Sequence, residues 1–182
     1  MKRTFLLFVT LIFVISSCKK DDPAINAKKD NGDGPVLGYN DSYSAWVSYK
    51  NNVGNNYAYT VAWGSFFGFG AELKTNVSNG KVVSRDYTAY TYAQNSSVKT
   101  VSKQWHEDGA ALNTHPNDAA EALTIDGVYL KAKNVWLKAD PKTNDIYFET
   151  KNNGIISSCG YVPKGCQDDC FNGIHITAVT AL

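Results

Sequence analysis

The densest concentration of reactive side chains in the 182-residue sequence is Cys159, Cys166 and Cys170, with Asp168 and Asp169 between the last two and His175 just beyond. In an oxidising compartment three such thiols form one bridge and leave one thiol over, so Cys159–Cys166, Cys159–Cys170 and Cys166–Cys170 are the possible pairs. The pair favoured from the sequence is Cys159–Cys170, which ties both ends of a loop over residues 160–172 and leaves Cys166 free. Closing that loop removes unfolded-state freedom worth on the order of 2–3 kcal/mol. The sharper alternative is a zinc site of Cys159, Cys166, Cys170 and His175, since three thiolates and an imidazole are an ordinary structural set. Its spacings lack the tight C-x₂-C knuckle, and His175 alternates with the apolar Ile174 and Ile176, so it faces away from a core. A reactive thiol is the third reading, with Lys164 as the one basic neighbour. Asp168 and Asp169 read as a solvated acidic pair, beside the option of a cation held with loop carbonyls.

A second constellation is Trp105-His106-Glu107-Asp108 with His115 and Asp118. Imidazoles and carboxylates at this density suit acid–base work or a metal. The H-E-x-x-H pattern is absent, because Asp108-Gly109 follows Glu107 and His115 lies nine residues after His106. Gly109 and Pro116 break any single ligand helix, so the plainer reading is a polar loop anchored by Trp105. Asp140-Pro141-Lys142-Thr143-Asn144-Asp145 superficially looks like a calcium loop, but Lys142 and Lys151 stand where acidic ligands belong, and it reads as a turn. The run 63–70 interleaves Trp63, Phe66, Phe67 and Phe69 with glycines. Such a run either makes a flat stacking surface for sugar rings or peptide, or closes the end of a core. There is no phosphate-binding glycine loop, nucleophile elbow or dinucleotide fingerprint, so the sequence assigns no catalytic residue and no cofactor.

The chain opens with Lys2 and Arg3, followed by eleven residues, 5–15, that are apolar except for Thr10. As a helix these rise only about 16 Å, short of the ~20 residues a span requires. A basic start and a short apolar run form an export signal. Its end, Ile15-Ser16-Ser17-Cys18, resembles the lipobox read by the lipoprotein peptidase. That resemblance implies cleavage before Cys18, acylation of its thiol and stable anchoring by two or more acyl chains. Lys19-Lys20-Asp21-Asp22 resembles a surface-export signal of Gram-negative lipoproteins, which implies an outer-membrane lipoprotein, surface-exposed in some such proteins.

Removal of residues 1–17 takes two positive charges from a formal +1 and leaves −1 on 165 residues. A near-neutral chain has no electrostatic footprint for nucleic acid, so the one partner expected is the membrane, through lipid; a protein or glycan ligand is unidentified. Residues 18–40 hold few large apolar groups and read as a flexible tether reaching roughly 25 Å. Residues 41–182 then form a single domain, long enough to bury about 68% of its unfolded surface. Eleven Tyr, eight Phe and four Trp against a single Met favour a core built on sheet.

The elements that must position these groups follow from periodicity. Tyr43, Trp46, Val47 and Lys50 share a helical face, capped by Asp41 or Ser42 and ended at Gly54. Tyr57, Tyr59, Val61 and Trp63 alternate with small residues as a strand, and Leu73, Thr75 and Val77 mark a second. Asn79-Gly80 makes a hairpin turn into a third strand, 81–92. Residues 93–123 carry no readable pattern. Thr124 caps a helix through Ile125, Val128, Tyr129, Ala132, Val135 and Trp136. Strands follow at 145–150, 155–158 and 173–180. The expectation is α+β, an antiparallel sheet of five to six strands covered by two helices, in the order α-β-β-β-α-β-β-β. Tyr57 to Trp63 should share a face with Leu73, Thr75 and Val77 beneath the helices carrying Trp46 and Trp136.

Tyr57-x-Tyr59, Val77-x-x-Gly80-Lys81-Val82-Val83, Thr124-Ile125-Asp126-x-x-Tyr129 and Tyr147 with Gly154-x-Ile156, in this order, resemble a family of small secreted bacterial lipoproteins of unknown function. The resemblance covers about residues 42–180 and implies no catalytic residues. The reading that follows is a membrane-anchored binding or envelope-structural module. The alternative is a small hydrolytic or metal-dependent enzyme using His106, Glu107 and His115 or the cysteine cluster.

Overall fold

The computed structural model describes residues 38–65, 68–93 and 98–182. The signal, Cys18, Phe66 and Phe67 therefore lie outside the described residues. The first helix, α1, spans Tyr39–Asn52. Strands β1 Tyr57–Ser65, β2 Phe69–Ser78, β3 Lys81–Tyr92 and β4 Lys99–Asp108 follow as a meander. Helix α2, Ile125–Asn134, leads through a 3₁₀ turn at Trp136–Lys138 into β5 Asn144–Glu149, β6 Ser158–Pro163 and β7 Asn172–Ala181. Among the described residues seven strands make one antiparallel sheet, ordered β4-β3-β2-β1-β7-β6-β5. The fold is α+β as expected, with more strands than the sequence revealed.

The additional strand is β4, inside the stretch that carried no pattern. It is an edge strand whose residues 99–104 are all exposed, and only Trp105 and Glu107 are covered. A strand with a carboxylate at a core position has no apolar alternation to read. The strand expected at 155–158 also moves. Ile155 and Ile156 are buried in a wide turn stabilised by an Asn152–Ile155 bridge, and pairing resumes at Ser158.

Helix α1 starts at Tyr39, ahead of the expected cap, with Asp41 in its first turn, where a carboxylate favours the positive end of the helix. Its buried stripe is Tyr39, Ser42 and Trp46, whereas Tyr43 is exposed. Ser42 earns its place through the Tyr129 hydroxyl, 2.6 Å from its Oγ and 2.9 Å from the Ser42 carbonyl to which it donates. Thr124 caps α2 by accepting from the Gly127 N–H, as its sequence position suggests. Val135, counted on the inner helical face, is instead exposed, because the chain leaves α-helical geometry at that residue.

The helices cover half of one sheet face. Trp46, Tyr57, Tyr59, Val77, Ile125, Val128, Tyr129, Cys159 and Ile176 meet in the main core. Buried tyrosines keep polar partners, as a hydroxyl must. Tyr59 donates to the Leu123 carbonyl at 2.6 Å, and the Ile125 N–H donates to the Tyr57 oxygen at 3.0 Å. The pairing Tyr57–Val77, Tyr59–Thr75 and Val61–Leu73 places the expected residues on one face. The expected cover over them is only partly correct. Leu73 is buried under residues 109–124 rather than under a helix, and Trp63 projects beyond both covers with 40% of its surface exposed.

Candidate functional site

Pairing across β1 to β4 sets inward-facing side chains in parallel rows. One row runs Tyr59, Thr75, Arg85, Glu107; the next runs Val61, Leu73, Tyr87, Trp105; the third runs Trp63, Ala71, Ala89, Lys103. Strand alternation therefore splits the cluster that the sequence placed together: Trp105 and Glu107 face inward, while His106 and Asp108 face out. His106 is exposed, with Nδ1 2.7 Å from an Asp86 oxygen and Nε2 3.6 Å from Asp108. Its hydrogen bond to Asp86 holds its pKa above the ordinary histidine value.

Glu107 is fully buried opposite Arg85, itself 1% exposed. Arg85 donates to Glu107 Oε2 from Nε at 2.9 Å and from Nη2. The Asn113 N–H donates to the same oxygen at 3.0 Å. Oε1 accepts the His115 N–H at 2.9 Å and lies 2.8 Å from His115 Nδ1, with the Thr114 hydroxyl at 3.3 Å. Burial alone would raise the pKa of this carboxyl. The hydrogen bonds from His115, Arg85 and the Asn113 N–H, with the Arg85 charge, outweigh it and bring the value to about 2. The remaining guanidinium arm donates to the Ala120 carbonyl at 2.6 Å. Both carboxylate oxygens are thus occupied, and the group acts as a clasp between the sheet and the segment 109–124.

Beside the clasp lies a row of rings. Trp63 is 6.0 Å from Tyr87, Tyr87 stacks on Trp105 at 4.9 Å, and Trp105 stacks on His115 at 4.5 Å. The Trp105 indole N–H donates to Asp118 at 3.1 Å, and Lys103 pairs with the same carboxylate at 2.7 Å. That hydrogen bond from Lys103 holds the Asp118 pKa below the usual carboxylate value. Phe69, on the same face as Trp63 by register, is 53% exposed. The row ends in open aromatic surface at Trp63 and Phe69, and the Lys103–Asp118 pair lies at its other end, beside Trp105.

The sequence missed Arg85 and Tyr87. A signal existed, since Arg85 is the only arginine after residue 17 and stands two positions from Tyr87 in a strand pattern. It also missed Lys103 and Asn113, which carry no local mark. Of the residues it proposed, Glu107 and His115 meet, His106 is excluded by the sheet, and Trp63 and Phe69 share a face.

The cysteine cluster is corrected. The bridge joins Cys166 to Cys170, with Cα atoms 6.3 Å apart, and Cys159 is the buried free thiol. Cys159 pairs with Phe148 and Ile174, and its side chain enters the core with theirs, away from the turn that carries the other two. Burial pushes its thiol up to about 12. His175, one residue from Ile174, points to the opposite face and stacks on Phe171 at 4.2 Å. Cys159 and His175 therefore cannot share one ion, and among the described residues no cluster of three His, Cys, Asp or Glu side chains is arranged for a metal. The Asp140 segment is a turn, with its carboxylate accepting the Lys142 N–H at 2.9 Å. Among the described residues no helix is long and apolar enough to cross a membrane. No family model, curated protein or solved structure matches the chain.

Proposed function

We propose that this chain is a lipid-anchored extracytoplasmic protein, a member of the secreted lipoprotein class its N-terminus resembles, that binds a glycan without transforming it. Cys18 carries the lipid, the residues between it and helix α1 hold the domain off an outer membrane, and the ligand meets the aromatic end of the sheet. The observation that carries this reading is Trp63, 40% exposed at the open end of a ring row and on the same face as the exposed Phe69. An exposed indole stacks on the C–H face of a pyranose, and Trp63 and Phe69 present two such rings on one face. The enzyme alternative has less support. It needs His106, Glu107 and His115 together, but His106 is on the other face, and Glu107 spends its oxygens on Arg85 and residues 113–115.

Titration of the mature chain with β-glucan, chitin and peptidoglycan oligosaccharides, followed by tryptophan fluorescence, tests the reading. A saturable response is expected, weakened about 10-fold by Trp63→Ala, in line with the ~1.5 kcal/mol upper value for a stacked ring. Tyr147→Ala, on the remote β5, should leave it unchanged. No saturable response to any oligosaccharide rejects the glycan, and saturation by unstructured peptides alone assigns the surface to a protein partner.

A further inference from the structure

Residues 109–124 cross the inward side of β2, β3 and β4 in place of a helix. Ala119 is buried there against Ala71, Leu73 and Tyr87, while Ala110, Ala111, Pro116 and Ala120 are exposed. Leu123, at the C-terminal end, packs against the main core, but apolar contact does little to hold the middle of the cover. The attachments are polar instead: residues 113–115 to Glu107, Ala120 to Arg85, and Asp118 to Trp105 and Lys103. The Asn113 side chain accepts the Ala122 N–H at 2.7 Å, which closes the segment on itself as a compact loop. A depression open to solvent, lined by Arg85, Asn113, Pro116, Ala119, Ala120 and Glu121, runs along the segment. At one end Gly109 has φ +44° and open space where a side chain would stand.

We propose that residues 109–122 are a lid over the glycan-binding face. Swinging about Gly109 and Ala122, with Leu123 kept in place by the core and by the Tyr59 hydroxyl, the lid uncovers Leu73, Tyr87 and the remainder of Trp105. The ring row then becomes continuous with Trp63 and Phe69. The clasp suits this motion because water can replace the Asn113, Thr114 and His115 donors at Glu107 when the segment lifts, while the Arg85–Glu107 pair stays within the sheet. An apolar seam would lose its burial with no such compensation. The inference rests on the binding surface above, yet its test needs no ligand.

Amide hydrogen exchange on the full mature chain reads the lid directly. Amides of 110–122 are expected to exchange through local opening, with protection at least 100-fold below that of Tyr57, Tyr59 and Val61. Glu107→Gln should speed lid exchange at least 10-fold more than that of β1, which accelerates only as far as loss of the buried pair lowers global stability. His115→Gln, which leaves the Arg85–Glu107 pair in place, should do the same to a smaller degree and keeps the test valid if the first variant folds poorly. Lid protection equal to that of β1, or equal acceleration of lid and β1 in His115→Gln, overturns the lid. Failure of oligosaccharide binding with a locally opening lid would reject the glycan and leave the lid intact.

Discussion

Arg85 and Glu107 face each other across β3 and β4, both shut away from water, with the Arg85 Nε–H donating to the carboxylate at 2.9 Å. A paired, fully hydrogen-bonded buried charge is tolerable, whereas one left without its partner is not. Arg85→Met leaves Glu107 charged and buried. Urea unfolding should show a loss of about 3–5 kcal/mol. The double variant Arg85→Met/Glu107→Leu should recover part of that loss, although the Asn113 and His115 N–H groups then lack an acceptor. A single variant as stable as the parent would show that the pair is not buried.

The same pair sets an acid limit. Glu107 titrates at about 2 in the folded chain, below the ordinary value of 4.5. Its contribution is therefore fully present above pH ~4.5 and is lost as pH falls through 4.5 toward 2. Urea midpoints measured from pH 6 to pH 2 should fall through that window, with a slope of up to about 1.4 kcal/mol per pH unit from this group. Glu107→Gln should lack this component. Parallel curves for the two proteins would remove Glu107 as the source.

Cys159 should be silent in the native protein, since its thiol is buried in the core and pushed up to about 12. Iodoacetamide at pH 8 should label no thiol in the folded mature chain and one per chain in denaturant. Peptide mapping without reduction should recover Cys166 linked to Cys170. A peptide joining Cys159 to either would refute this pairing.

Gly173 has no room for a side chain. A Cβ there would meet the Cys159 carbonyl oxygen and would lie 2.6 Å from the Gly160 Cα, with the Phe171 ring at 2.7 Å. Gly173→Ala must push β6 from β7 and should cost more than about 2 kcal/mol in thermal or urea unfolding. Gly165→Ala meets nothing within 4 Å and bears only its positive φ, a cost of about 1 kcal/mol. Equal losses at the two sites would contradict the close strand approach.

Cys18→Ala should release the protein from the membrane fraction or leave its signal uncut, and should abolish palmitate labelling. Labelled, membrane-bound mutant protein would end the lipoprotein reading.

The sequence by itself determined whatever is written in local periodicity. Alternating Tyr57, Tyr59, Val61 and Trp63, the Asn79-Gly80 turn and the Thr124 cap each act within a few residues, and the β1–β2–β3 hairpins and α2 follow from them. Only the tertiary structure decided the rest, because the interactions concerned join residues distant in the chain. The strand β4 was hidden because its two covered positions, Trp105 and Glu107, find their partners in Tyr87, Arg85 and His115, and a glutamate at a core position looks polar until its arginine is seen. The cysteine pairing turned on which face of β6 Cys159 occupies, and that face is set by a register with β5 and β7 that no local spacing encodes. Trp63 likewise lies on the predicted face, but its exposure depends on where the helices and residues 109–124 stop.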